Sequence, residues 1–96
     1  PADVIAVRDG KSYLIDCKVC SRGRFPFSRI EDNQHTAMRA WQESGNGTGW
    51  VALKCEGYIF MLDYDALKRL SKTQSSISFR DMCFYGRVLE AWVVFA

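Results

Sequence analysis

The stretch Asp3-Val4-Ile5-Ala6-Val7-Arg8-Asp9-Gly10-Lys11-Ser12-Tyr13-Leu14-Ile15-Asp16-Cys17-Lys18-Val19 decides how the rest of the chain is read. Val4 to Val7 is an apolar, largely β-branched run, and Tyr13 to Val19 is another. Asp9-Gly10 between them is a strong signal for a two-residue hairpin turn, whose central residues both take positive φ. With that turn Arg8 faces Lys11, and counting outward puts Asp3 directly opposite Asp16. Cross-strand neighbours have Cβ atoms about 4.5–5.5 Å apart, a distance at which like charges destabilise a sheet. Two facing carboxylates therefore need a counter-charge.

A divalent cation is the natural one. Mg²⁺ prefers hard oxygen ligands and is commonly held by one or two carboxylates, with positions left for water and phosphate. Lys18 is two residues beyond Asp16 and so projects from the same strand face. A cation there can orient an attacking water and stabilise charge developing on phosphorus. Ile15 and Cys17, between these positions, are expected to face inward. If repulsion dominates the pair, Asp16→Asn should leave the fold equally or more stable.

Working outward, Ser21 to Arg29 reads as a loop with Gly23 and Pro26. Ile30 to Ser44 reads as a helix capped by Asp32 or Asn33. Ile30, Gln34, Ala37, Met38 and Trp41 share one face of it. Gly45, Asn46 and Gly47 stop it. Trp50 to Cys55 and Tyr58 to Leu62 are strands joined at Glu56-Gly57. Asp63 opens a short helix to about Ser71, with Leu67 and Leu70 inward. Lys72 to Ser76 is a polar loop, and Ser78-x-x-Asp81 is a capping-box pattern for a last short helix. The periodicity of Val88 to Phe95 fits strand or helix. The order β-β-α-β-β-α predicts a mixed α/β fold, a small mixed sheet with helices packed on it.

A chain of 96 residues, 48% hydrophobic, makes one domain, residues 1–96. No run approaches the roughly 20 apolar residues of a membrane span. The N-terminus lacks a signal-peptide pattern. A soluble cytoplasmic protein is expected, with no membrane partner. The chain opens at Pro1 straight into a strand, consistent with an upstream segment. The net charge of +2 is too small to name a partner. Its distribution says more: Lys11, Lys18, Arg22, Arg24 and Arg29 crowd one stretch whose only acid is Asp16, a patch suited to a polyanion. Cys17 and Cys20 have the spacing of a zinc half-site, but no second pair follows. Together with Cys55 and Cys83 they read as small buried apolar residues in a reducing compartment.

Gln34 shares the face that should pack on the sheet, and a buried amide must be hydrogen-bonded. His35, one position on, is expected to turn to solvent, within reach of phosphate. Arg22, Arg24 and Arg29 flank Phe25 and Phe27, a mixture suited to gripping a nucleic-acid backbone. The same Phe side chains can anchor the loop to the core while the arginines stay solvated. Trp41, Trp50 and Trp92 read as core.

These features resemble the PD-(D/E)XK nuclease superfamily, with Pro1-Ala2-Asp3 as its first motif and Asp16-Cys17-Lys18 as its second. Over nearly the whole chain the resemblance is to RecU-type Holliday-junction resolvases. It rests on Phe25-Pro26-Phe27 in a basic loop, Glu31-Asp32-Asn33-Gln34 opening a helix, and Asp63 to Leu67 on the next. Ser76-Ile77 and Tyr85-Gly86 resemble the C-terminal stretch of that family. There are departures. Asp16 stands where the family usually has Glu, and the family's upstream helix and inserted stalk have no counterpart here. In those respects the chain is also similar to a phage-type relative or to VRR-type nucleases.

The resemblance implies a restriction-endonuclease-like core and a metal-dependent DNA endonuclease acting on branched DNA. It implies Mg²⁺ or Mn²⁺ held by Asp3, Asp16 and the backbone carbonyl of Cys17, with Lys18 and Gln34 completing the catalytic set. Arg22, Arg24, Arg29 and His35 would contact DNA. Symmetric incision of a junction implies a homodimer, formed through the edge strand or the Val88 to Phe95 tail. A superfamily nuclease acting on flaps, nicks or duplex DNA, and a non-catalytic DNA-binding module, are the alternatives.

Overall fold

The computed structural model describes residues 3–95, with the side chain of Asp3 outside the description. Strand β1 (Asp3–Arg8) and strand β2 (Lys11–Val19) form the expected hairpin. Asp9 and Gly10 take φ of 51° and 77°, the primed-turn geometry that matches the twist of the strands. The pairing runs from Arg8 opposite Lys11 to Asp3 opposite Asp16, the register expected from the turn.

The loop after β2 is more ordered than expected. It contains strand β3 (Arg24–Pro26) and a 3₁₀ turn over Phe27–Arg29. Helix α1 (Asp32–Trp41) starts two residues later than expected and is capped by Glu31 rather than Asp32 or Asn33. Its end widens into a π-type turn over Gln42–Asn46. Strand β4 (Trp50–Cys55) and strand β5 (Tyr58–Asp63) meet at Glu56-Gly57, both at positive φ.

Asp63 caps helix α2 (Tyr64–Leu70) by accepting from the backbone N–H groups of Asp65 and Ala66. Strand β6 (Ser76–Ser78), not expected from the sequence, begins at the last residue of the polar loop Lys72 to Ser76 and pairs with β3 as a separate two-stranded sheet. Ser78 and Asp81 form the expected capping box for helix α3 (Phe79–Tyr85). The Ser78 backbone N–H beside Asp81 holds its carboxyl below the usual carboxylate range. The ambiguous tail resolves into a two-residue strand β7 (Arg87–Val88) and helix α4 (Leu89–Phe95).

The main sheet has the order β1-β2-β4-β5-β7. Only β2 and β4 are parallel, with α1 crossing between them. The sheet separates two apolar layers. On one face Val51, Leu53, Phe60 and Leu62 pack with Phe25, Ile30, Leu67, Ile77 and Met82, while Leu14 packs with Met38 of α1 and Tyr64 of α2. On the other, Tyr13, Ile15 and Met61 pack on Trp92 of α4. Trp92 is buried, whereas Trp41 and Trp50 are half-buried at the margins of the core.

Gly49 fixes how close α1 comes. A Cβ built there would meet the Met38 sulfur at 2.0 Å, so any larger residue would force the Met38 side chain of α1 to move. Gln34, one turn before Met38, is carried toward β2 by the same approach.

The cysteines depart from expectation. Cys20, at the end of β2, is disulfide-bonded to Cys55, at the end of β4, across 35 residues of sequence. Parallel pairing of the two strands makes them neighbours, which the Cys17/Cys20 spacing could not reveal. Cys17 and Cys83 lie outside this disulfide and are exposed rather than buried apolar residues. Within β2, the apolar layer around Trp92 takes in Tyr13 and Ile15 but not Cys17. No helix among the described residues is long and apolar enough to cross a membrane.

Candidate active site

Asp16 is fully buried, in register beside Val51 of β4 on the face covered by α1 and α2. A carboxylate in that position is costly unless it is hydrogen-bonded and charge-compensated. Gln34 supplies the first. Its Nε2 donates to Asp16 Oδ1 at 3.3 Å, and its Oε1 accepts from the Glu31 backbone N–H at 2.9 Å. The second bond fixes the amide's orientation, because a carbonyl must face the N–H and leave the NH₂ for the carboxylate. The capping geometry of α1 thereby aims a donor at β2.

Lys18 supplies the charge. Its Nζ is 3.9 Å from Asp16 Oδ2, and its side chain is only 9% exposed. That distance is an ion pair but too long for a hydrogen bond, so an ammonium proton remains available for another acceptor. Three of the four residues expected in the catalytic set are thus together. Asp3 stands opposite Asp16 in the backbone register, but its side chain lies outside the described residues, as do Pro1 and Ala2.

The donor chemistry suits a hard dication: a carboxylate at Asp16, with the carbonyl of Cys17 one residue along the strand. Among the described residues no three His, Cys, Asp or Glu side chains come together. Only one of the two expected carboxylate ligands is among them.

The surrounding residues depart from expectation in detail. His35 is half-buried, not turned to solvent. Its Nδ1 is hydrogen-bonded to the Tyr64 hydroxyl, with ring centroids 5.6 Å apart. Burial pushes the Tyr64 hydroxyl above its ordinary pKa, Arg39 opposes that, and Asp65 adds to it. Beside this pair a small cavity of about 70 Å³ is rimmed by His35, Lys68 and Ser71. Tyr64 did not stand out in the sequence, since 29 residues separate it from His35.

The basic loop also divides. Phe25 is fully buried, so it does anchor the loop. Arg29 donates to the Val19 carbonyl and lies over the Phe25 ring at 5.3 Å, while Arg24 donates to Ser76 Oγ at 2.8 Å. Arg22 is exposed at φ 55°. Of the three, Arg24 and Arg29 have structural work as well as exposure.

No protein-family model matches the chain, and no curated protein matches its sequence.

Proposed function

We propose that this protein is a metal-dependent DNA endonuclease, acting on branched DNA as a homodimer, with Asp16, Lys18, Gln34 and Asp3 as its active site. The single observation carrying this reading is the convergence of Asp16, Lys18 and Gln34 at one buried point, facing the strand that bears Asp3. Their order and spacing match the resemblance drawn from the sequence.

A divalent cation bound by Asp3, Asp16 and the Cys17 carbonyl would supply Lewis-acid polarisation of the scissile phosphate. The chain's own residues do the rest. Gln34 holds the Asp16 carboxylate through Oδ1, with Oδ2 on the side of Lys18. Lys18 donates to the attacking water or a phosphoryl oxygen, offsetting negative charge as it builds. Fixed donors in a low-dielectric pocket are more effective than in water because they need not reorganise. Arg22, with the exposed parts of Arg24 and Arg29, would contact phosphates on the strand leaving the site. His35 and Lys68 would meet the backbone on the α1–α2 side.

The test is cleavage of a synthetic four-way junction and of linear duplex of the same sequence, each with Mg²⁺, Mn²⁺ or EDTA. Junction cleavage that requires the metal, in symmetric pairs of incisions, is expected. Cleavage of linear duplex or flaps instead would keep the chemistry and replace the substrate. Cutting of neither, with binding retained, would leave a DNA-binding module.

A further inference from the structure

The α4 face of the sheet carries a second feature, independent of the nuclease chemistry. Two adjoining clefts of about 270 and 310 Å³ share Trp50, Trp92 and Arg87. Each is near the lower end of ligand-sized pockets, roughly 300 Å³. Tyr13 and Met61 complete the floor. Trp92 meets Tyr13 and Trp50 edge-on, at 5.3 and 5.4 Å between centroids, so the floor is a rigid aromatic surface.

Aromatic rings stand unusually bare along the rim. Phe84 is 79% and Phe95 is 74% exposed, with Tyr85 beside Phe84. Cations are interleaved with them: Arg87 over the Phe95 ring at 5.1 Å and Lys11 over Tyr13 at 5.3 Å. Among the described residues, the one carboxylate lining the clefts, Asp63, is engaged in capping α2. Glu90 is two positions before Trp92 on α4, about 200° around the helix, and so faces away from the groove.

We infer that this groove binds single-stranded DNA, its bases stacking on the exposed rings of Phe95 and Tyr85 above the Trp50–Trp92 floor and its phosphates meeting Lys11 and Arg87. Flat faces beside unopposed cations are what a single strand offers contacts to, because every base has a π-face and every link an anion. A second copy of the chain is the poorer occupant. Self-docking would bring Lys11 and Arg87 of both copies together without a counter-charge, and like charges across an interface are costly.

Trp50 and Trp92 make the groove self-reporting. In a Trp41→Phe background with EDTA present, so that no bond is cut, an oligothymidylate of about 12 nucleotides should quench their fluorescence saturably. That length is within the range of single-strand sites. Phe95→Ala, at an exposed ring, should weaken binding roughly tenfold, as expected for one lost base stack. Lys11→Ala and Arg87→Gln should each lower the slope of log affinity against log salt by about 0.7. Far-ultraviolet circular dichroism and thermal unfolding check each variant's fold. The inference fails if the oligonucleotide does not quench, or if affinity is unchanged in all three variants. It also fails if Phe95→Ala converts a dimer to a monomer by sedimentation while oligonucleotide affinity stays the same.

Discussion

Gln34 ties local structure to chemistry through one amide. The same side chain closes the first turn of α1 at Glu31 and holds Asp16 Oδ1. Lys18 completes the arrangement from two residues along β2, as strand periodicity requires. Because Lys18 faces Asp16 at ion-pair rather than hydrogen-bond distance, its role should be electrostatic rather than metal-holding. Lys18→Ala should therefore slow single-turnover junction cleavage roughly 10²-fold or more, while calorimetric Mg²⁺ affinity changes little. A variant that loses metal affinity but cleaves normally at saturating Mg²⁺ would reassign the residue. These positions were legible because period-two alternation and i, i+4 spacing are local rules. The exposure of Cys17 was not legible, because the apolar layer around Trp92 takes in Tyr13 and Ile15 but not Cys17, and the tail's periodicity left α4 undecided. The His35–Tyr64 contact likewise joins distant segments that no short-range pattern links.

Among the elements, the β1–β2 hairpin, the turn at Glu56-Gly57 and the capping box at Ser78 were readable because each is a turn or cap with specific residue chemistry. The β3–β6 sheet was not. Each strand is three residues long, too short for alternation to register, and each exists through pairing with the other. That pairing changes what the basic loop can do. Arg24 and Arg29 bind Ser76, the Val19 carbonyl and the Phe25 ring, leaving Arg22 as the cleanest reporter of DNA contact. Arg22→Ala should reduce the slope of log affinity for duplex against log salt by about 0.9, with unfolding unchanged. Arg29→Ala should in addition lower thermal stability, since the hydrogen bond to Val19 and the contact with Phe25 go with it. If both variants keep the wild-type salt slope, the gripping surface belongs elsewhere, with Lys68, Arg69 and Lys72 of the α2 end the next to examine.

At the scale of the whole molecule, one sheet carries two different surfaces: a buried carboxylate with its donors under α1 and α2, and an aromatic, cationic groove beside α4. The mixed α/β architecture followed from element order. The two-sided division did not, because it required knowing that Leu89 to Phe95 turns back as a helix. Burial also reverses one expectation about stability. Two facing acids alone predict that Asp16→Asn relieves repulsion. A fully buried Asp16 beside a Lys18 side chain only 9% exposed predicts the opposite, since a nearly buried ammonium loses its counter-charge. Apo stability should fall by about 1–3 kcal/mol. The same substitution tests the central claim most directly, because it keeps side-chain volume while removing the anionic donor. The measurement is the rate of four-way junction cleavage by folded Asp16→Asn at saturating Mg²⁺, alongside junction affinity by gel shift. Abolished cleavage with affinity largely retained is the predicted result; cleavage at near wild-type rate would contradict the assignment of Asp16 to an active site.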